Sequence, residues 1–489
     1  MAEGPRGAYV MVVNYRLTCL VVLLAGAGCG ETPRRGDTVL FASGADLQSI
    51  NPLLTVHPLA RQVQRYVLLT TLVRYDSTLA PVPYLARSWA FSVDGRALTF
   101  TLQPGVRWHD GAPTTAADVV WTLDAARDPA TGYPRLNDLS SVDSIMAIGD
   151  SLIWIHFRER VTQVPDVFTD LAILPSHLLG TTPHDQLRTA AWNEHPVGNG
   201  PFRFVAHEPN RRWVFVANGA FPQALGGPPR LQRLVVAVVD EPVTKLAALA
   251  SGELDFAGIQ PAHATFVERD PRLRVLSYPL LFTYGIVFNC RRAPFNDMTV
   301  RRALSLALDR REIVDGYSYG FATPATGPRP PEVGGTPPAA VSPANADSAR
   351  ALLHGRRISF ELLTVGSGEA ALEQMIQAQL ARAGFDVHIR QLELSAYLGR
   401  VRGPRPEFDA AVMGIQGDIG LGYIVPLAAL TGLGPAANAS EAERQLADSA
   451  SVAFLYHARG LQGANRRVQD VRMDLRGELA TVARWWVRP

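Results

Sequence analysis

The sequence predicts an α/β fold built from more than one cooperative unit, on three observations. A chain of 489 residues with 47% hydrophobic composition can bury a sizeable core, and it is longer than a usual single unit. Segments with two-residue alternation are interleaved with segments of 3.6-residue periodicity, the mark of mixed strands and helices. No stretch repeats internally. Charges nearly cancel, 47 basic against 45 acidic for a net of +2, and no basic stripe is interleaved with aromatics, so nucleic acid is a poor partner. Lysine occurs once, as Lys245, a compositional bias toward arginine that carries no function by itself.

The elements follow in order. After Arg16 the run "LTCLVVLLAGAGC" holds an apolar segment, Leu17 to Ala27, too short for the roughly 20 residues that span a bilayer. It reads as the core of a signal peptide over residues 1–28, with Met11 as an alternative start. Gly26, Ala27 and Gly28 before Cys29 resemble a bacterial lipobox, which implies cleavage before Cys29 and a lipid on its sulfur; Gly26 departs from the preferred leucine. Residues 29–37 then form a polar linker. With Cys19 removed and Cys29 lipidated, Cys290 stands alone, and no disulfide framework or cysteine-rich metal site is available.

Strands are expected at "LTFTLQPGV", where Leu98, Phe100 and Leu102 share a face, at "SLIWIHF", at "RRWVFVAN" and at the continuous apolar run "RLVVAVV". Helical periodicity marks "EPVTKLAALASGEL", "MTVRRALSLALDRREIV", "ADSARALLHG" and "EAALEQMIQAQLARAG". Residues 322–343, rich in proline and glycine, are expected to form one long loop.

Two stretches invite a catalytic reading. In "VRWHDGAPTTAADVVWTL", Asp110 and Gly111 make a turn and Thr115 with Asp118 fits a capping box, so the polar knot punctuates a strand and a helix; His109 is the one polar residue without a structural task. "GYSYG" matches G-x-S-x-G around Ser318, but that motif needs a strand entering and a helix leaving, and here a helix enters. The eleven histidines show no H-E-x-x-H pattern, and neither a P-loop nor a G-x-G-x-x-G is present, so no metal or cofactor is expected. Asp297 and Asp309 read as helix caps, and Arg301 and Arg302 as partners in local ion pairs.

Taken in order, several stretches resemble one family, the extracytoplasmic solute-binding proteins of ABC importers of the dipeptide, oligopeptide and nickel type. They are "LTFTLQPGVRWHDGAPTTAADVVWTL", "VGNGPFRFVAHEPNRRWVFVANGAF", "ALASGELDFAGI", "YGIVFNCRRAPFNDMTVRRALSLALDRREIV" with "GFATPATGPRPP", "AQLARAGFDVHI" with "FDAAVMGIQGD", and "VAFLYHARGLQGANRRVQDV". The resemblance runs from about residue 38 to the end. It implies an α/β type II periplasmic-binding fold of two lobes joined by a hinge, lobe I being residues 38–282 with 453–489 and lobe II residues 283–452. It further implies a lipid-anchored, monomeric, non-enzymatic protein that captures short peptides and delivers them to an ABC permease. Asp418 would hold the ligand's α-ammonium, and Asn289 is a further candidate for the cleft.

Departures bear on the ligand. Ile415 stands where peptide binders carry tryptophan, Leu421 and Gly422 replace an Asp-Pro pair, and residues 420–453 look short by most of a helix. Alternatives are a family member for a metal chelate, an oligosaccharide or an opine-like solute, an exported serine hydrolase using Ser318, and a sensor or chaperone-like lipoprotein that has lost transport.

Overall fold

A computed structural model describes residues 36–334, 340–403 and 405–488. Eleven strands join one mixed sheet, numbered here in chain order within it: β1 Thr38–Ser43, β2 Phe202–Glu208, β3 Arg212–Ala217, β4 Arg233–Val238, β5 Phe256–Gly258, β6 Leu273–Phe288, β7 Ala322–Pro324, β8 Ile358–Val365, β9 Phe385–Leu392, β10 Ala410–Gln416 and β11 Val452–Asn465. Their spatial order is β9-β8-β10-β6-β11-β5-β1-β4-β3-β2, with β7 paired to β11.

Two groups of core residues divide this sheet. One gathers Val39, Phe41, Phe215, Leu234 and Phe256 with the C-terminal Ala464, Val468 and Trp485. The other flanks β8 and β10: Leu362, Ala410 and Val412 face one layer, and Leu363, Ala411, Met413 and Ile415 face the opposite one. Successive side chains point to opposite faces of a strand, so a continuously apolar sequence is what a strand covered on both sides requires.

Only β6 and β11 run through both groups. They pair antiparallel from Leu273↔Asn465 to Val287↔Val452, and the register shifts between Pro279 and Thr283 and again between Tyr284 and Gly285. Proline has no N–H to give a ladder, so pairing is interrupted where the chain passes from one core to the other. Such a junction absorbs backbone rotation at low cost.

Beside the first core sits a four-stranded antiparallel sheet in the order Ala86–Phe91, Ala97–Leu102, Leu152–Phe157, Val142–Ile148. Its inward face carries Leu98, Phe100, Ile153, Ile155 and Phe157, each fully buried. The helix Ala116–Arg127 opens with the expected capping box: Thr115 N donates to Asp118 Oδ2 at 2.8 Å. Asp118 also accepts from Trp108 Nε1 at 3.2 Å and from Ser176 N at 2.8 Å, so one carboxylate fastens three segments. Gly111 adopts φ +96°, as the turn demands. His109 has a task after all, because its ring lies between Gly198 N at 3.2 Å and Gly200 O at 3.0 Å and pins that loop. The knot is punctuation.

All the segments with helical periodicity form helices, and Asp297 and Asp309 cap theirs through Thr299 N, Arg311 N and Glu312 N. Two expectations change. Arg301 and Arg302 make no local ion pair; the Arg301 guanidinium is buried and donates to the carbonyls of Ser449 and Phe295, Arg302 to that of Asp448, satisfying the end of the helix Ala439–Ser449. The proline-rich stretch begins as β7, which is possible because Pro324 ends an edge strand. Residues 420–453 carry two helices, Ile424–Leu430 and Ala439–Ser449, packed on the lower face of the second core.

Two desolvated histidines, His457 buried and His109 half-buried, are expected to make the fold acid-sensitive. Burial pushes His109 and His457 down to about 4, so both stay neutral in the native state, whereas in the unfolded chain they take up protons near pH 6.5. Their contribution is complete above about pH 6.5 and is lost as pH falls toward 4, at up to about 1.4 kcal/mol per histidine for each pH unit. Urea midpoints taken from pH 7 to 4.5 are expected to fall, and less steeply in His457→Gln; parallel curves for the two proteins would show that His457 is not a source of this loss.

Candidate ligand-binding cleft

A cavity of about 910 Å³ opens beside the junction. Its walls are the exit of β1 at Ser43–Ala45, the helix Pro58–Val63, Arg74 and Tyr75, the turn around Asp166–Asp170, the middle of β6 from Tyr278 to Phe282, the exit of β10 from Gln416 to Ile419, and residues 474–478. The volume is that of a small-solute site. Charged side chains are unusually dense on these walls, and their pairing decides what remains for a ligand.

Asp170 is the hub of one wall. Its side chain is only 10% exposed and accepts from Arg61 Nη2 at 2.5 Å, from Arg65 Nη1 at 2.6 Å and from Arg135. Burial alone would raise this carboxyl, but three guanidinium groups outweigh it and hold the group below its usual range. Below it, Tyr278 donates to Glu478 Oε1 at 2.7 Å, and Gln62 donates to the other Glu478 oxygen. Arg476 is closed onto Asp474 at 2.6 Å. Arg74 lies 3.4 Å over the Tyr84 ring and donates to Arg65 O at 3.1 Å; burial lowers its pKa.

The opposite wall comes from the second core. Asp418 follows β10 directly, and its Oδ1 accepts from Gly422 N at 3.1 Å in a tight turn. Among the described residues no cation pairs with it, so acceptor capacity is left over. Facing it from the first core is Asp166, which accepts from Tyr75 OH. Burial and then the charge of Asp418 push Asp166 up, against the pull of the Tyr75 hydrogen bond. The two walls nearly touch here: a side chain at Gly420 would have to push the Asp166 carboxylate aside.

The sequence-predicted site residues have different fates. Asp418 lines the cleft. Asn289 does not: it is buried, its amide donates to Phe408 O at 3.1 Å and its Oδ1 accepts from Arg291 N at 3.2 Å, so it brackets the approach to β10. Cys29 lies outside the described residues. Ser318 ends the helix Arg310–Tyr317, and the strand-to-helix turn of a hydrolase elbow is not there. Among the described residues no group of three or more His, Cys, Asp or Glu is placed to hold a metal ion, and no helix is long and apolar enough to cross a membrane. Sequence reasoning missed the Asp170 hub, Tyr75, Asp166 and Lys245.

The two-core architecture and its cleft at a strand junction define a binding protein of the hinged, two-lobed kind. Comparison with known proteins agrees. The pattern described as "Bacterial extracellular solute-binding proteins, family 5 Middle" matches residues 80–428, and this chain belongs to that family. A Brucella ovis protein named as an ABC transporter peptide-binding protein is 31% identical over 256 residues, 52% of this chain and 48% of that one. The chain thus matches about half the length of the Brucella relatives. Di/tripeptide-binding protein 2 of Pseudomonas aeruginosa is 26% identical over 408 residues, covering 77% of this chain and 73% of its own. In structure, the oligopeptide-binding protein AppA from Bacillus subtilis, solved with a nonapeptide, superposes with a TM-score of 0.71 at 22% identity, covering 92% of this chain and 99% of AppA. The fold is the type II periplasmic-binding arrangement, two α/β lobes joined by a hinge.

Proposed function

We propose that this protein captures short peptides outside the cytoplasmic membrane and hands them, chemically unchanged, to an ABC permease. Lobe I comprises residues 38–282 with 453–489, and lobe II residues 283–452. The observation that carries the reading is Asp418, a cleft carboxylate with one amide donor and no cation among the described residues. A peptide's α-ammonium supplies the missing partner through a charge-assisted hydrogen bond, which leaves neither ion unpaired as the lobes enclose it. Main-chain groups along the ligand supply the rest, which tolerates varied side chains. The names of the relatives and the nonapeptide in AppA support peptide as the class.

The protein acts as a monomer without a cofactor, exported by residues 1–28 and tethered by a lipid on Cys29. Closure is a hinge equilibrium that ligand shifts by touching both lobes. Small-angle X-ray scattering tests this: a pool of short peptides is expected to reduce the radius of gyration, and an unchanged profile with bound peptide contradicts the clamp. No hydrolysis is expected. Ester and peptide cleavage assays should read zero for the wild type and for Ser318→Ala alike, and turnover lost in Ser318→Ala would instead establish a hydrolase.

A further inference from the structure

Lys245, the one lysine among 47 basic residues, lines the cleft. It projects from the helix Pro242–Ser251 over the exit of β1, where a Cβ on Gly44 would stand 3.2 Å from its Nζ. Among the described residues its ammonium makes no ion pair and no side-chain hydrogen bond. The other cleft cations are occupied: Arg61, Arg65 and Arg135 by Asp170, Arg476 by Asp474, and Arg74 by the Tyr84 ring and a carbonyl. An ammonium on a flexible stem is a compact charge that takes a carboxylate without demanding the fixed two-pronged geometry of a guanidinium.

The sheet order gives the separation, across the strands, of the two ends of the cleft that carry this charge and Asp418. From β10, whose exit carries Asp418, the path β10-β6-β11-β5-β1 takes four inter-strand steps to the strand under Lys245. At about 4.8 Å per step the strands beside the two charges are roughly 19 Å apart across the sheet. A hydrogen bond at each end occupies about 3 Å. An extended chain advances about 3.3 Å per residue, so about four to six residues join the two poles, and a dipeptide or tripeptide reaches only one.

We propose that Lys245 receives the ligand's terminal carboxylate, and that the span from Asp418 to Lys245 selects extended peptides of about four to six residues. The proposal rests on Asp418 as the ammonium anchor and adds the opposite pole and a length.

Because Lys245 carries the only ε-amine, reductive ¹³C-methylation places one side-chain reporter on the full-length protein, and methylation keeps the charge. Its resonance, assigned by its disappearance in Lys245→Arg, is expected to move with tetra- to hexapeptides bearing a free carboxylate. Dipeptides and C-terminally amidated hexapeptides are expected to leave it in place. In calorimetry, amidation of a pentapeptide should weaken binding about tenfold or more in wild type and in Lys245→Arg, and have no effect in Lys245→Met. The proposal is overturned, with the peptide reading intact, if peptides bind in an Asp418-dependent way while the Lys245 resonance stays still, or if amidation weakens Lys245→Met as much as wild type. Binding of no peptide of any length overturns the proposed function, and this inference with it.

Discussion

Replacing Asp418 by alanine is expected to abolish the rise in melting temperature that peptides produce. The carboxylate has two roles in one turn: it accepts from Gly422 N and it leaves acceptor capacity facing the cleft. Removing one partner of a desolvated charge pair costs about 2–5 kcal/mol, so the peptide Kd should rise by about 30-fold or more. Asp418→Asn separates the two roles, because an amide oxygen still accepts from Gly422 N while the charge is gone. The asparagine variant is expected to melt like wild type without ligand and to share the binding defect of alanine. Titration calorimetry decides it; wild-type affinity in Asp418→Asn would take the ammonium anchor away from this residue.

Loss of Asp170 is expected to be the most destabilising single change in the cleft wall. Three guanidinium groups converge on this nearly buried carboxylate; without it Arg135 keeps Asp138, but Arg61 and Arg65 lose their carboxylate partner and repel one another at short range. Breaking a buried ion cluster from one side costs about 3–5 kcal/mol. In Asp170→Ala the denaturant midpoint should fall accordingly at pH 7. The penalty should shrink when Arg65 is also replaced by glutamine, since one uncompensated charge is then removed. Strict additivity of the two changes would show that Arg65 and Asp170 do not act as a unit.

The parts of the fold legible in the sequence are those with a short-range signature. Alternation found Ala97–Leu102 and Leu152–Phe157, 3.6-residue periodicity found the helices, and the caps are local: Thr115 N donates to Asp118 three residues on, and Asp297 and Asp309 accept from amides two or three residues on. The cleft has no such signature. Arg61, Arg65 and Arg135 reach Asp170 from up to 109 residues away, and Arg301 closes a helix end 148 residues downstream. Such pairs depend on strand order, which periodicity does not encode. Asn289 shows the converse: its place beside β6 is right, but the amide turns toward the loop before β10 rather than into the cavity. Lys245 reads in sequence only as the mark of a bias toward arginine, and becomes notable once four inter-strand steps are counted from β10, beside Asp418, to the strand beneath it.

The central claim is that two lobes grip a peptide without altering it. Native mass spectrometry of the purified protein with an equimolar pool of di- to octapeptides tests this most directly. A complex of one protein with one intact peptide, releasing a ligand of unchanged mass, is the expected result. Peptides recovered as fragments, or a spectrum with no peptide adduct at any length, would contradict it.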